Sequence, residues 1–247
     1  MHILRLCSER LPLAEAKHLG LRTLLPAAAV HCFTALGVVC ALFALRAALS
    51  EDWQGLFGWL GIALVIDGLD GTFARLTKIS AVLPRFSGER LDLIIDYLTY
   101  VFVPALALLW GGFLDGSFGL LLVALILLSS LFHFSDTESK TSDYCFVGFP
   151  ALWNVVAFYA FALGLPAWLA AMVVIGLIVL TFVPWKWAHP MRTPLLRPVT
   201  IVVLAAWFGA AMLTLWNGFP ATLALQGVLI FAAAYMFGLV LFRSLAR

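Results

Sequence analysis

Charge is scarce in this sequence. Only 11% of its 247 residues are Asp, Glu, Lys or Arg, against 64% hydrophobic residues, whereas ordinary soluble proteins carry about a quarter charged residues. Its 15 basic and 13 acidic side chains cannot clothe a water-facing surface, and with a mean hydropathy of +1.05 the bilayer is the solvent. A soluble globule is excluded. Paired cysteine spacing is also missing: Cys7, Cys32, Cys40 and Cys145 form no C-x-x-C unit, which argues against a zinc site or a disulfide framework. His2, His18, His31, His133 and His189 are scattered, and neither H-E-x-x-H nor G-x-S-x-G occurs, which argues against a zinc protease or a serine hydrolase.

What the chain has in quantity is long apolar runs. They lie at 25–49, 53–73, 91–110, 118–134, 146–165, 167–183, 199–216 and 221–242, with breaks such as Gly164-Leu165-Pro166 and Asn217-Gly218-Phe219-Pro220. A spanning helix needs about 20 apolar residues, and a transmembrane barrel would instead show alternating segments of about ten. The expected fold is therefore all-α, a polytopic membrane helix bundle of about eight transmembrane helices over residues 25–247. Residues 1–24 interleave Leu and Ile with Arg5, Arg10, Lys17 and Arg22. That mixture cannot span and predicts an N-terminal amphipathic helix lying in the cytoplasmic interface. Under the eight-span topology every Lys and Arg except Arg46 falls on the side of the N-terminus. The positive-inside rule then places both termini in the cytoplasm.

Four aspartates stand where an apolar helix should have none. Asp67 and Asp70 are three residues apart near the end of the second run, and Asp92 and Asp96 are four apart near the start of the third. Each pair shares a helical face, and an ionisable group at membrane depth is a functional hypothesis by default. Because the two helices are consecutive and antiparallel, all four carboxylates can converge near the cytoplasmic surface. Gathered in a low dielectric they repel one another and need positive charge among them. Hard oxygen donors select Mg²⁺, Mn²⁺ or Ca²⁺, and such clusters hold the two metal ions of in-line phosphoryl transfer. Gly71 leaves room beside Asp70, and Arg75, eight residues after Asp67, offers a fork for a phosphate. On the third helix Gly88, Asp92, Asp96 and Tyr100 recur every four residues.

The stretch Asp67-Gly-Leu-Asp70-Gly71-Thr-Phe-Ala74-Arg75, twelve residues, then Gly88-Glu-Arg-Leu-Asp92-Leu-Ile-Ile-Asp96 closely resembles the signature of the CDP-alcohol phosphatidyltransferase family, D-x-x-D-G-x-x-A-R followed by G-x-x-x-D-x-x-x-D. The spacer is longer than most members carry and is most like the family's choline-using bacterial branch. Similarity to that branch extends over most of the chain, through 96–104, 146–154 and 183–192. Glu89 and Leu93 depart from it, where a small residue and an asparagine are expected. The resemblance implies transfer of the phosphatidyl group of CDP-diacylglycerol to choline with release of CMP. It also implies a site with two divalent ions, Mn²⁺ or Mg²⁺, on Asp67, Asp70, Asp92 and Asp96. By the same resemblance Asp96 would in addition be the catalytic base for the hydroxyl of choline, and Gly71, Ala74, Arg75 and Gly88 would hold the donor. The expected partners are these substrates and membrane lipids, with no nucleic acid, and family members are commonly homodimers.

A quaternary ammonium has no hydrogen to donate and is recognised by aromatic faces. Tyr100, Tyr144, Trp153 and the adjacent Asn154 are the candidates for choline. Two other readings stay open: the same chemistry with serine or glycerol 3-phosphate as acceptor, and an ion-coupled transporter using the aspartates as a relay.

Overall fold

The computed structural model describes residues 21–77, 87–141, 143, 145–188, 193 and 195–245, without the side chains of 21–24, 27, 74, 75 and 77. Among these residues are eight helices: α1 (Leu21–Leu49), α2 (Trp53–Thr77), α3 (Gly88–Trp110), α4 (Gly116–Ser135), α5 (Trp153–Leu163), α6 (Ala167–Phe182), α7 (Arg197–Asn217) and α8 (Leu223–Leu245). Two three-residue strands, β1 (Cys145–Val147) and β2 (Lys186–Ala188), pair antiparallel with Phe146 opposite Trp187. The all-α polytopic bundle expected from the apolar runs is what forms. Six helices, α1 to α4 with α7 and α8, are long and apolar enough to cross a membrane, while α5 and α6 have 11 and 16 residues. The expected interfacial helix lies outside the described residues up to position 20. Residues 21–24 belong to the first turn of α1, because no glycine or proline interrupts the chain there.

Helix ends follow the local chemistry. Asp52 caps α2 by accepting the Gly55 N–H at 2.9 Å, and Ser87 caps α3 by accepting the Arg90 N–H at 3.3 Å. Helix α5 stops at Gly164 in the left-handed conformation, with the Leu165 N–H donating to the Ala160 carbonyl and the Gly164 N–H to the Phe161 carbonyl. This is the paired closure that glycine permits, and Pro166 then starts α6. The fifth apolar run is corrected by the structure. Its first part, from Phe146, is strand and irregular backbone, and the helix begins only at Trp153. Gly148 (φ +81°) and Ala151 (φ +55°) leave the helical region, and Pro150 between them has no N–H to give. Such backbone is tolerated at depth only when protein encloses it, and Phe149, Ala151 and Trp153 are all buried.

The core runs along the middle of the bundle. Phe57, Phe158, Phe161 and Phe219 meet edge-on or tilted with centroids 5.2–5.8 Å apart. Small residues form the seam of α1 with its neighbours, with Cys40, Ala41, Ala44 and Ala48 buried there. This is how helices approach closely when lipid offers no hydrophobic drive for association. Large exposed side chains such as Leu42, Phe132, Val202 and Phe231 cover the outside, as a lipid-facing surface requires.

At one end of the bundle a hairpin follows α4. The Val147 N–H donates to the Ser139 carbonyl at 2.9 Å and the Thr141 N–H to the Cys145 carbonyl at 2.8 Å. Asp143 at its tip accepts from the Thr141 hydroxyl, from Arg243 of α8 at 2.6 Å and from Lys186 of β2 at 3.5 Å. The Thr141 hydroxyl first, then the two cations, hold the Asp143 carboxyl down to about 2. Its stabilisation is therefore complete above the ordinary carboxylate range and is lost as pH falls through about 2. The thermal midpoint of Asp143→Asn should lie below that of the wild type at neutral pH, the gap narrowing as pH falls from 4 to about 2; a gap independent of pH would reject this account. A Cβ on Gly148 would come within 2.2 Å of the Thr181 carbonyl oxygen, whereas one on Gly176 would meet nothing. Gly148→Ala should therefore cost about 1–3 kcal/mol and lower the midpoint in detergent, with Gly176→Ala as the unaffected control.

Candidate active site

Asp67 and Asp70 stand on the last turns of α2, and Asp92 on the first turns of α3. Their carboxylate oxygens lie within 4.8 Å of one another. Asp70 is buried at 7% exposure, and Asp67 and Asp92 are half-buried. Two like charges at that separation repel by about 3 kcal/mol at an effective dielectric of about 20. Three such pairs rival the entire stability of a domain, so the ionised cluster calls for a cation. Three oxygen donors with no sulfur or nitrogen among them suit a hard divalent ion. The residues present thus fit Mg²⁺ or Mn²⁺.

Asp96 lies one turn further along α3, half-buried and outside that group of three, within the electrostatic reach of Asp67, Asp70 and Asp92. After it the helix widens into a π-helical segment, Tyr97–Phe102. Pro104, which cannot donate to the ladder, lies two residues beyond its end. The every-fourth-residue stripe is therefore altered after Asp96. Tyr100 still reaches the site: its hydroxyl donates to Asp67 Oδ2 at 2.7 Å, and its ring is buried at 8% exposure.

Helix α1 packs closely against α3. A Cβ on Gly37 would fall 2.4 Å from Ile95 Cγ2, so only glycine lets α1 and α3 approach beside Asp96. Gly88, at the start of α3, faces the His31 imidazole, whose Cε1 lies 3.2 Å from where a Cβ would be. The other donor-holding candidates are on α2, where Gly71 is half-buried next to Asp70. Ala74 and Arg75 continue the same helix, and their side chains lie outside the described residues.

Of the choline candidates, Tyr100 and Trp153 belong to one buried core. Tyr144 lies outside the described residues. Trp153 is fully enclosed, donates its indole N–H to the Ser130 hydroxyl at 2.8 Å and packs edge-on against Phe149 at 5.2 Å. Asn154 accepts the Val155 N–H with its own side chain and lines a cavity of about 750 Å³ between α2, α5 and α7. That cavity is almost wholly apolar, bounded by Phe57, Ile66, Leu69, Phe158 and Trp207, and its wall along α2 reaches Leu69 beside Asp70. Sequence reasoning missed Gly37, and gave no role to Lys140 in the loop after α4. A glycine inside an apolar helix carries no distinguishing signal. Lys140, however, is the single cation in a run holding Asp136, Glu138 and Asp143, and that isolation was visible.

Fold and site together define a polytopic membrane protein with a carboxylate cluster of metal-binding type. No protein-family model matches the chain. It is similar to the phosphatidylcholine synthase of Pseudomonas aeruginosa, 44% identical over 216 residues, which cover 87% of this chain and 90% of that protein. The phosphatidylcholine synthase of Rhizobium johnstonii is 36% identical over 97% of both chains, and that of Borreliella burgdorferi 34% identical over 70% of this chain and 74% of its own. The chain belongs to the phosphatidylcholine synthase family and is an enzyme, a phosphatidyltransferase.

The Tyr100 hydroxyl donates to Asp67, the kind of contact by which an outer partner tunes a carboxylate that holds a metal. Tyr100→Phe should weaken Mn²⁺ binding by about 10–100-fold, read by calorimetry on purified protein in detergent. Unchanged affinity would remove Tyr100 from that role.

Proposed function

We propose that this protein transfers the phosphatidyl group of CDP-diacylglycerol to choline at the facing ends of α2 and α3, giving phosphatidylcholine and CMP. The observation that carries this reading is the meeting of Asp67, Asp70 and Asp92 within 4.8 Å in a membrane helix bundle, on a chain whose relatives are named phosphatidylcholine synthases. In this reading Asp67, Asp70, Asp92 and Asp96 hold two divalent ions, which supply positive charge to the diphosphate and to the departing CMP. Gly71 and Gly88 leave space for the donor, and Arg75 pairs with its phosphate oxygens.

The rest of the chemistry falls to side chains. Choline's hydroxyl is a weak nucleophile at neutral pH and needs a positioned base, worth about 10²–10⁴ in rate. Asp96 stands apart from the group of three and is the carboxylate with this task. The hydroxyl oxygen bonds to the β-phosphorus, the bond from that phosphorus to the oxygen of CMP breaks, and the hydroxyl proton passes to Asp96. Choline's ammonium rests against the aromatic rings of Tyr100, Tyr144 and Trp153, with Asn154 beside them. An acyl chain of the donor lies in the apolar cavity between α2, α5 and α7. The asymmetric distribution of Lys and Arg supports a cytoplasmic active site with both termini on the same side.

The test is CMP release by purified protein with CDP-diacylglycerol and Mn²⁺, comparing choline, serine, glycerol 3-phosphate and no acceptor. Choline-dependent release is expected. Release with another alcohol would keep the acidic site and overturn the acceptor, and ion transport without CMP release would overturn the reaction. In the same assay Asp96→Asn should lose turnover by at least about 10²-fold while retaining CDP binding; near-normal turnover would remove Asp96 from the role of base.

A further inference from the structure

We infer that Lys140 is a donor-positioning residue, a fixed ammonium that pairs with a phosphate oxygen of the diphosphate substrate above the Asp67–Asp70–Asp92 cluster. The inference rests on the phosphatidyltransferase reading of that cluster and adds a residue to it. Lys140 belongs to the hairpin after α4, where it pairs across the turn with Phe146. The root of the hairpin is anchored next to the site: Phe134, in the last turn of α4, packs edge-on against Tyr97 at 6.1 Å, one residue beyond Asp96. The Tyr97 hydroxyl also donates to the Leu127 carbonyl of α4 at 2.9 Å. Hairpin and acidic cluster thus share one end of the bundle, and the charge of Lys140 acts on both Asp92 and Asp96.

The far side of the hairpin is tied down. Asp143 holds Arg243 at 2.6 Å and Lys186 at 3.5 Å, and the Lys186 N–H donates to the Ser244 hydroxyl at 2.9 Å. The two cations of α8 and β2 are thereby committed to the hairpin's carboxylate. Lys140 itself is exposed and makes no ion pair among the described residues. A cation that is uncommitted, held on a braced hairpin and within electrostatic reach of a carboxylate site suits an anion that arrives with the substrate. A compact ammonium binds phosphate as a point charge. It repels choline's quaternary ammonium, which places Lys140 on the donor side of the site.

The same chemistry is offered by the phosphates of surrounding anionic lipids, and the experiment separates the two sources. CDP, the soluble head of the donor, is titrated in Mn²⁺ into full-length wild type, Lys140→Gln and Lys140→Arg in neutral detergent. Turnover is then followed in vesicles of phosphatidylcholine with and without phosphatidylglycerol. Lys140→Gln is expected to weaken CDP binding and raise KM for CDP-diacylglycerol by about tenfold, with KM for choline unchanged and kcat within about twofold, and Lys140→Arg to restore most of the loss. CDP binding by Lys140→Gln equal to that of a wild type that does bind CDP would overturn the inference and leave the phosphatidyltransferase reading standing. Normal CDP binding with lost stimulation by phosphatidylglycerol would overturn it in favour of the lipid surface. A wild type that binds no CDP in Mn²⁺ would overturn the phosphatidyltransferase reading, and the inference with it.

Discussion

Three carboxylates held within 4.8 Å of one another in a lipid-facing bundle are a liability that the rest of the structure is arranged to sustain. Their mutual repulsion amounts to several kcal/mol even with generous dielectric relief, so helices free to move would separate. What keeps α2 and α3 together is packing behind the site. Glycine at 37 lets α1 lie against Ile95, and the alanines of α1 pack closely against neighbouring helices. The Tyr100 hydroxyl couples a residue of α3 directly to a carboxylate of α2. The energy that would splay the helices is thereby available to bind a cation.

The second half of the chain supports this arrangement without contributing to the acidic cluster. Helices α5 and α7 wall an apolar cavity along α2, and the hairpin between α4 and α5 is braced by α8 and β2 through Asp143. Burial of Trp153, with its N–H satisfied by Ser130, fixes where the irregular segment 148–152 re-enters a helix. Membrane proteins admit non-helical backbone only where protein encloses it. The shortness of α5 and its heavily buried face are two aspects of that one constraint.

Much of this was legible before any fold was known. Long apolar runs mark helices because a bilayer core has no water to satisfy a broken backbone, and the Gly164-Leu165-Pro166 stop behaved as its residues require. The aspartate pairs were legible because intramembrane carboxylates are costly and their spacing of three and four sets a shared face. The reading erred where a local backbone break was hidden in an apolar run. Residues 146–152 are hydrophobic enough to count toward a span, yet Gly148 and Pro150 divert them into a strand and loop.

The sequence by itself determined that the chain lives in a membrane as a helical bundle and that two consecutive helices carry four aspartates within it. Composition and period are local properties, and a bilayer leaves few structures that satisfy them. Only the tertiary structure decided which three of those aspartates meet, that a π-helical turn carries Tyr100 onto Asp67, and that Lys140 rides a hairpin braced from the far end of the chain. Those outcomes depend on helix rotation and separation, which are set by contacts between residues up to 161 positions apart. No window of sequence contains them.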